Sequence, residues 1–221
     1  MKRILTAIWM CFAAPVTACD LSLLLAVDVS GSVDRNEFSI QMVGLADALR
    51  DGIVADSLVR QQAYLSLIQW TGSSRQRMTI PWVQMRSHAD VSNFAKAVEN
   101  DQRIWRNYST AIGEALLAAH YAFSEIPNCT RRVIDVSGDG VSNEGSPPDL
   151  LREALRRDGI VINALAIETD QTDLTGYFFE SVIAGEGAFV FTADGFEDYP
   201  EQIRRKLQRE VLDRLSLVTE D

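Results

Sequence analysis

The sequence predicts an α/β fold: a doubly wound, mostly parallel sheet with helices on both faces and one antiparallel edge strand. Three observations predict it. The apolar runs at 21–27, 132–137 and 160–167 are short and nearly continuous, the pattern of strands buried on both faces. Stretches with helical spacing lie between the strand-like runs. Polar turns rich in Asp, Ser and Gly follow the first two runs, where open α/β sheets carry their ligand sites.

The N-terminus stands apart from this pattern. Met1, Lys2 and Arg3 form a basic start, residues 4–16 are almost wholly apolar, and Thr17-Ala18-Cys19 follows. This is the layout of a secretory signal peptide, so residues 1–18 are expected to be removed and residues 19–221 to form one domain. Export to the periplasm or the extracellular space is the corresponding expectation. Of the 21 basic residues, Lys2 and Arg3 leave with that segment, so 19 remain against 31 acidic ones, a net charge of −12. That balance argues against nucleic acid or an anionic membrane as partner and favours attraction of cations. No later apolar run is long enough to span a bilayer.

The elements follow in order. The first strand, 21–27, ends at Asp28, and 28–34 is a polar turn. Residues 37–49 show helical spacing through Phe38, Met42, Leu45 and Leu49, with Asp51-Gly52 as the stop. Residues 62–70 alternate as a strand. A second strand, 78–85, contains Pro81, which points to a sheet edge, so the two form a hairpin with the second strand antiparallel and outermost. Helices are expected over 89–100 and 110–124, separated by the polar loop 101–109. The strand 132–137 runs into Gly138-Asp139-Gly140. Pro147-Pro148 opens a helix that Asp158-Gly159 closes. A strand at 160–167, a helix at 176–184, a strand at 188–191 and a final amphipathic helix over 196–215 complete the chain.

Two cysteines remain after residue 18. Cys19 lies nine residues before Asp28, and Cys129 ten before Asp139, each just ahead of an apolar strand. If those strands are parallel neighbours, the two cysteines sit side by side, and spacing favours a disulfide between them. It would close a loop of about 110 residues, worth about 4 kcal/mol in the chain-entropy model. The competing reading makes Val16-Thr17-Ala18-Cys19 a lipobox with a lipidated Cys19. Against it, Leu21 already begins the strand, with no linker between.

The turns at the strand ends hold the chemistry. Asp28, Ser30 and Ser32 offer one carboxylate and two hydroxyls at alternate positions. Asp139 adds a second carboxylate from the neighbouring strand, and Thr110 a hydroxyl at a helix start. All are hard oxygen donors, suited to Mg²⁺, with Mn²⁺ or Ca²⁺ as alternatives. Soft ligands are missing from this end, since the cysteines lie at the other end of the strands and His88 and His120 elsewhere, which argues against zinc and copper.

Asp28-x-Ser30-x-Ser32, Thr110 at a helix start and Asp139-Gly140 after a strand together resemble the metal-ion-dependent adhesion site of von Willebrand factor A domains. The stretches 25–34 and 133–140 are closer still to bacterial secreted members grouped as domain of unknown function 1194. The resemblance implies that Ser30 and Ser32 contact the metal directly, Thr110 directly or through water, and Asp28 and Asp139 through water. It also implies a partner, a protein or peptide, that completes the shell with a carboxylate. One departure is that Asn107-Tyr108-Ser109 precedes Thr110 where the family is often glycine-rich, so Tyr108 would shape the mouth of the site. Trp105 and Glu144 are further candidate partner contacts.

The expected function is therefore an exported, non-enzymatic, metal-dependent binding module. The alternatives are a metal-free structural module of the same fold and a Mg²⁺-dependent phosphatase. For the phosphatase, Ser30 stands where a second acid is needed, and Lys96 and Lys206 both lie within predicted helices. Nucleotide binding lacks the glycine-rich fingerprint, and a serine hydrolase lacks G-x-S-x-G.

Overall fold

The computed structural model describes residues 19–169 and 173–212. The expected signal segment, 1–18, and the end of the expected last helix lie outside the described residues. Six strands, β1 (Leu21–Asp28), β2 (Tyr64–Trp70), β3 (Gln76–Gln84), β4 (Arg131–Gly138), β5 (Ile160–Ile167) and β6 (Val190–Ala193), form one sheet in the order β3-β2-β1-β4-β5-β6. All neighbours are parallel except β2 and β3. The helices are α1 (Arg35–Arg50), α2 (Gly52–Arg60), α3 (His88–Glu99), α4 (Ile112–Ala122), α5 (Pro148–Arg157), α6 (Leu174–Ser181) and α7 (Tyr199–Val211), with a 3-10 turn at Phe123–Glu125. The doubly wound sheet with one antiparallel edge strand is the architecture expected from the sequence.

The continuous apolar run of β1 has a direct physical reading. Leu21, Leu23, Leu25 and Val27 enter one core, shared with α1, α2, α3 and α7, while Leu24 and Ala26 enter a second, shared with α4, α5 and α6. A central strand covered on both faces is apolar on both, not at alternate positions, and the polar side chain within this run, Ser22, donates its hydroxyl to the Arg131 carbonyl. From Val133 to Val136, β4 follows the same rule with one exception. Ile134 and Val136 join the second core and Val133 the first, but Asp135 is a carboxylate buried on the α7 side.

The edge strand β3 carries Pro81 within an irregular stretch of its pairing with β2, where the register shifts between Leu65 and Leu67 and again before Ile68. A residue without an N–H fits there because only one side of the strand is paired.

Three expectations are corrected. Residues 52–60 are the helix α2, which has no counterpart among the elements expected from the sequence. Asp51 ends α1 but also caps α2, its Oδ1 accepting from the N–H groups of Ile53 and Val54. The last strand is Val190–Ala193, two residues later than expected. Thr110 precedes α4 rather than beginning it, and Ser142 Oγ accepts from Ile112 N in place of a local cap.

Leu21 pairs with Arg131 across β1 and β4, which brings Cys19 and Cys129 together. They are joined by a disulfide, with Cα atoms 4.8 Å apart. Asp28 and Asp139 lie at the opposite, carboxyl ends of the same two strands.

Candidate metal centre

Asp28 is the last residue of β1 and is fully buried. Its Oδ1 accepts from Ser30 N at 2.7 Å, which bends the chain so that the next two hydroxyls converge. Ser30 Oγ and Ser32 Oγ lie 3.2 Å apart, and Ser32 Oγ donates to Asp139 Oδ1 at 2.7 Å. Four of the five expected residues are thus joined in one polar chain. Thr110 lies beside the turn that follows β4, its Oγ1 3.8 Å from where a Cβ on Gly140, the neighbour of Asp139, would stand.

Thr110 is held there by the loop after β4. Its N–H donates to Asn143 Oδ1 at 2.9 Å, and its carbonyl accepts from the N–H groups of Asn143 and Glu144. Gly138 has a steric reason of its own. A Cβ on it would stand 3.1 Å from Asp28 Oδ2.

The electrostatics of the pair are unfavourable without a cation. Asp28 Oδ2 is buried with no hydrogen bond. Burial, and then the charge of Asp139, push the Asp28 carboxyl up to about 8, against the pull of the Ser30 N–H. Burial also raises Asp139, while the Ser32 hydroxyl holds it down. Two carboxylates and three hydroxyls, with one buried carboxylate oxygen unpaired, are a donor set that fits a small, hard divalent cation. Among the described residues, no group of three or more His, Cys, Asp or Glu side chains is placed to hold a metal. Any cation here would depend on the hydroxyls.

A cation fixed beside the site is one that the sequence does not single out. Arg103, in the loop between α3 and α4, donates from Nη2 to the carbonyls of Val29 (3.0 Å) and Ser30 (2.8 Å). Asp28, Asp34 and Asp139 all act electrostatically on its guanidinium. Gln69, buried at the end of β2, fixes that loop. Its Nε2 donates to Asp101 Oδ2 and the Gln102 carbonyl, and its Oε1 accepts from Ile104 N. In sequence Arg103 is one charge in a polar loop, and only the fold shows which carbonyls it reaches.

The rim residues separate. Tyr108 is exposed, its carbonyl accepts from Gly31 N at 2.8 Å, and the Arg75 guanidinium lies 3.8 Å from its ring centroid. Glu144 faces the β2–β3 turn. Hydrogen bonds from the Ser73 backbone and from Ser109 hold its carboxyl below the usual range. Trp105 is half-buried and packs against the core on the α1 and α7 side.

Comparison with known proteins agrees with the fold. The family described as Protein of unknown function (DUF1194) matches residues 18–215. No curated protein matches the chain. Among solved structures, proximal thread matrix protein 1 from the mussel byssus has a TM-score of 0.66 at 18% identity, covering 88% of this chain and 47% of its own. The same mussel protein, described "with zinc occupied MIDAS motif", gives 0.67 at 16% identity, covering 88% and 46%. A von Willebrand factor type A structure from Catenulispora acidiphila gives 0.62 at 19% identity, covering 88% and 43%. The chain spans just under half the length of these proteins. At such identities they show a shared fold, that of von Willebrand factor A domains.

Proposed function

The chain belongs to the DUF1194 family and has a von Willebrand factor A-like fold, and from that premise we propose that it is an exported, non-enzymatic binding module whose partner docks on a divalent cation. One observation carries the reading. Asp28 Oδ2 is a buried carboxylate oxygen without a partner, beside a second carboxylate and at the head of a run of converging hydroxyls. A buried, unpaired charge is costly unless something pairs with it.

Ser30, Ser32 and Thr110 would hold the cation, with Asp28 and Asp139 balancing its charge. A divalent cation bound there would supply a Lewis-acidic centre able to take a carboxylate from a protein or peptide. The protein's own contribution is to keep three hydroxyls in place. The Ser30 N–H fixes Asp28, Arg103 holds the loop by its carbonyls, and the loop after β4 clasps Thr110. Mg²⁺ suits the oxygen donors best, with Mn²⁺ or Ca²⁺ as alternatives. Because the mussel protein is described with zinc in such a motif, zinc belongs in any panel of test ions.

Export is supported by the Cys19–Cys129 disulfide, which an oxidising compartment permits. Among the described residues, no helix is long and apolar enough to cross a membrane. A pilus adhesin from Lactobacillus rhamnosus GG shares the fold with a TM-score of 0.65 at 12% identity over 88% of this chain, which agrees with a role in binding.

The test is a pair of thermal melts, in chelator and in about 10 mM Mg²⁺, for the wild type and for Ser30→Ala/Ser32→Ala. A site of millimolar affinity adds about 1.4 kcal/mol at that concentration. That raises the melting temperature by roughly 3–6 °C in a domain of this size. A rise in the wild type that vanishes in the double variant is the expected result. No rise with any ion of the panel would replace this reading with a metal-free module.

A further inference from the structure

Away from the strand ends, the sheet buries a second cluster of charge. Asp135 faces the α7 side of β4, and α7 brings Lys206 to it, with Nζ 2.6 Å from Asp135 Oδ2. One turn further on, Glu210 Oε2 lies 3.2 Å from the same Nζ. Lys206 is 0% exposed, Glu210 2% and Asp135 3%. Asn163, the partner of Asp135 in the β4–β5 register, donates from Nδ2 to Glu210 Oε1 at 2.7 Å, and its own Oδ1 is taken by Phe189 N. The Phe189 ring centroid lies 5.5 Å from Nζ.

Two features separate this cluster from an ordinary ion pair. The first is the charge count, two carboxylates against one ammonium, which leaves a negative charge uncompensated inside the protein. Burial raises the Asp135 carboxyl to about 6, the Lys206 charge opposing and the Glu210 charge adding to the rise, so Asp135 takes up a proton near pH 6, well above the usual carboxylate range. The second is proximity. Lys206 Nζ lies 2.6 Å from Asp135 Oδ2 and 3.2 Å from Glu210 Oε2, in contact with both carboxyl groups at once. A nucleophilic nitrogen, a carboxyl carbon and a carboxylate base are held together out of water.

We propose that Lys206 and Asp135 join in an intramolecular amide, with Glu210 as the proton carrier. Glu210 Oε2 takes a proton from Nζ, and the freed amine adds to Cγ of the protonated Asp135. Glu210 passes that proton to the departing hydroxyl, then takes the second proton as the nitrogen becomes an amide. One C–N bond forms, one C–O bond breaks, and one water leaves. No oxidant, reductant or cofactor is consumed. The product is a neutral amide beside a neutral Glu210 acid, so no unpaired charge stays buried.

The test is the mass of the full chain, purified folded and then reduced, with its N-terminus read from the same sample. The expected mass is one water below that of the sequence so defined. A tryptic digest should yield a branched peptide joining the Asp135 segment to the Lys206 segment, without cleavage after Lys206. Glu210→Gln should give the full mass and two separate peptides. A wild-type protein at full mass, with cleavage after Lys206, overturns the proposal and leaves an ion cluster. That result stands even if Glu210→Gln does not fold.

Discussion

Arg103 Nη2 donates to the carbonyl of Ser30 at 2.8 Å, so the loop that offers its hydroxyls on one side is gripped by a guanidinium on the other. A hydrogen bond from a charged donor contributes about 1.5–3 kcal/mol. Arg103→Met is therefore expected to lower stability in chelator by about 1–3 kcal/mol, measured by urea unfolding. It should also broaden the amide resonances of residues 29–32 in NMR spectra. Unchanged stability and sharp resonances would show that the loop holds its own shape.

Asp28 gives a pH signature. Its pKa in the folded protein is raised from 3.8 to about 8, so the folded state holds a proton that the unfolded chain releases. The stability this contributes is complete below about pH 4 and is lost as pH rises through about 8. In chelator, wild-type stability should fall across that window by a few kcal/mol, since each tenfold difference in proton affinity corresponds to about 1.4 kcal/mol. Asp28→Asn should flatten the fall and abolish the response to Mg²⁺. Urea unfolding at a series of pH values, with and without Mg²⁺, reads both effects.

Removing the disulfide is expected to cost about 4–5 kcal/mol, because it closes a loop with a sequence separation of 110. Cys19→Ser/Cys129→Ser and the reduced wild type should lose similar amounts in urea unfolding. Their Mg²⁺ responses should survive, since the cysteines lie at the other end of β1 and β4.

Gly138→Ala tests the close approach beneath the site. The new methyl would stand 3.1 Å from Asp28 Oδ2, so one of the two must move. Overpacking of this kind costs about 1–3 kcal/mol. The variant should melt lower than the wild type and respond less to Mg²⁺, as Mg²⁺ titrations followed by thermal melts would record.

The central strands were legible because doubly covered strands have no polar face, as β1 shows at every position from Leu23 to Val27. The site was legible for a related reason. A carboxylate and hydroxyls directly after such a run must lie at the carboxyl end of the sheet, and Asp28, Ser30, Ser32 and Asp139 do. Where one residue serves two elements, the sequence misleads. Asp51 reads as a stop because Gly52 follows it, yet its side chain also starts α2. Long-range polar contacts leave no local trace at all. Lys206 sits in an amphipathic helix like any surface lysine, but β4 happens to bury Asp135 opposite it. Arg103 is equally anonymous until Gln69 is seen to fix its loop.

The disulfide and the hydroxyl loops mark opposite poles of the molecule. β1 runs eight residues between them, roughly 25 Å at the usual strand rise. A tether on the Cys19 side would leave the Ser30 pole facing outward, with its approach clear of the anchor.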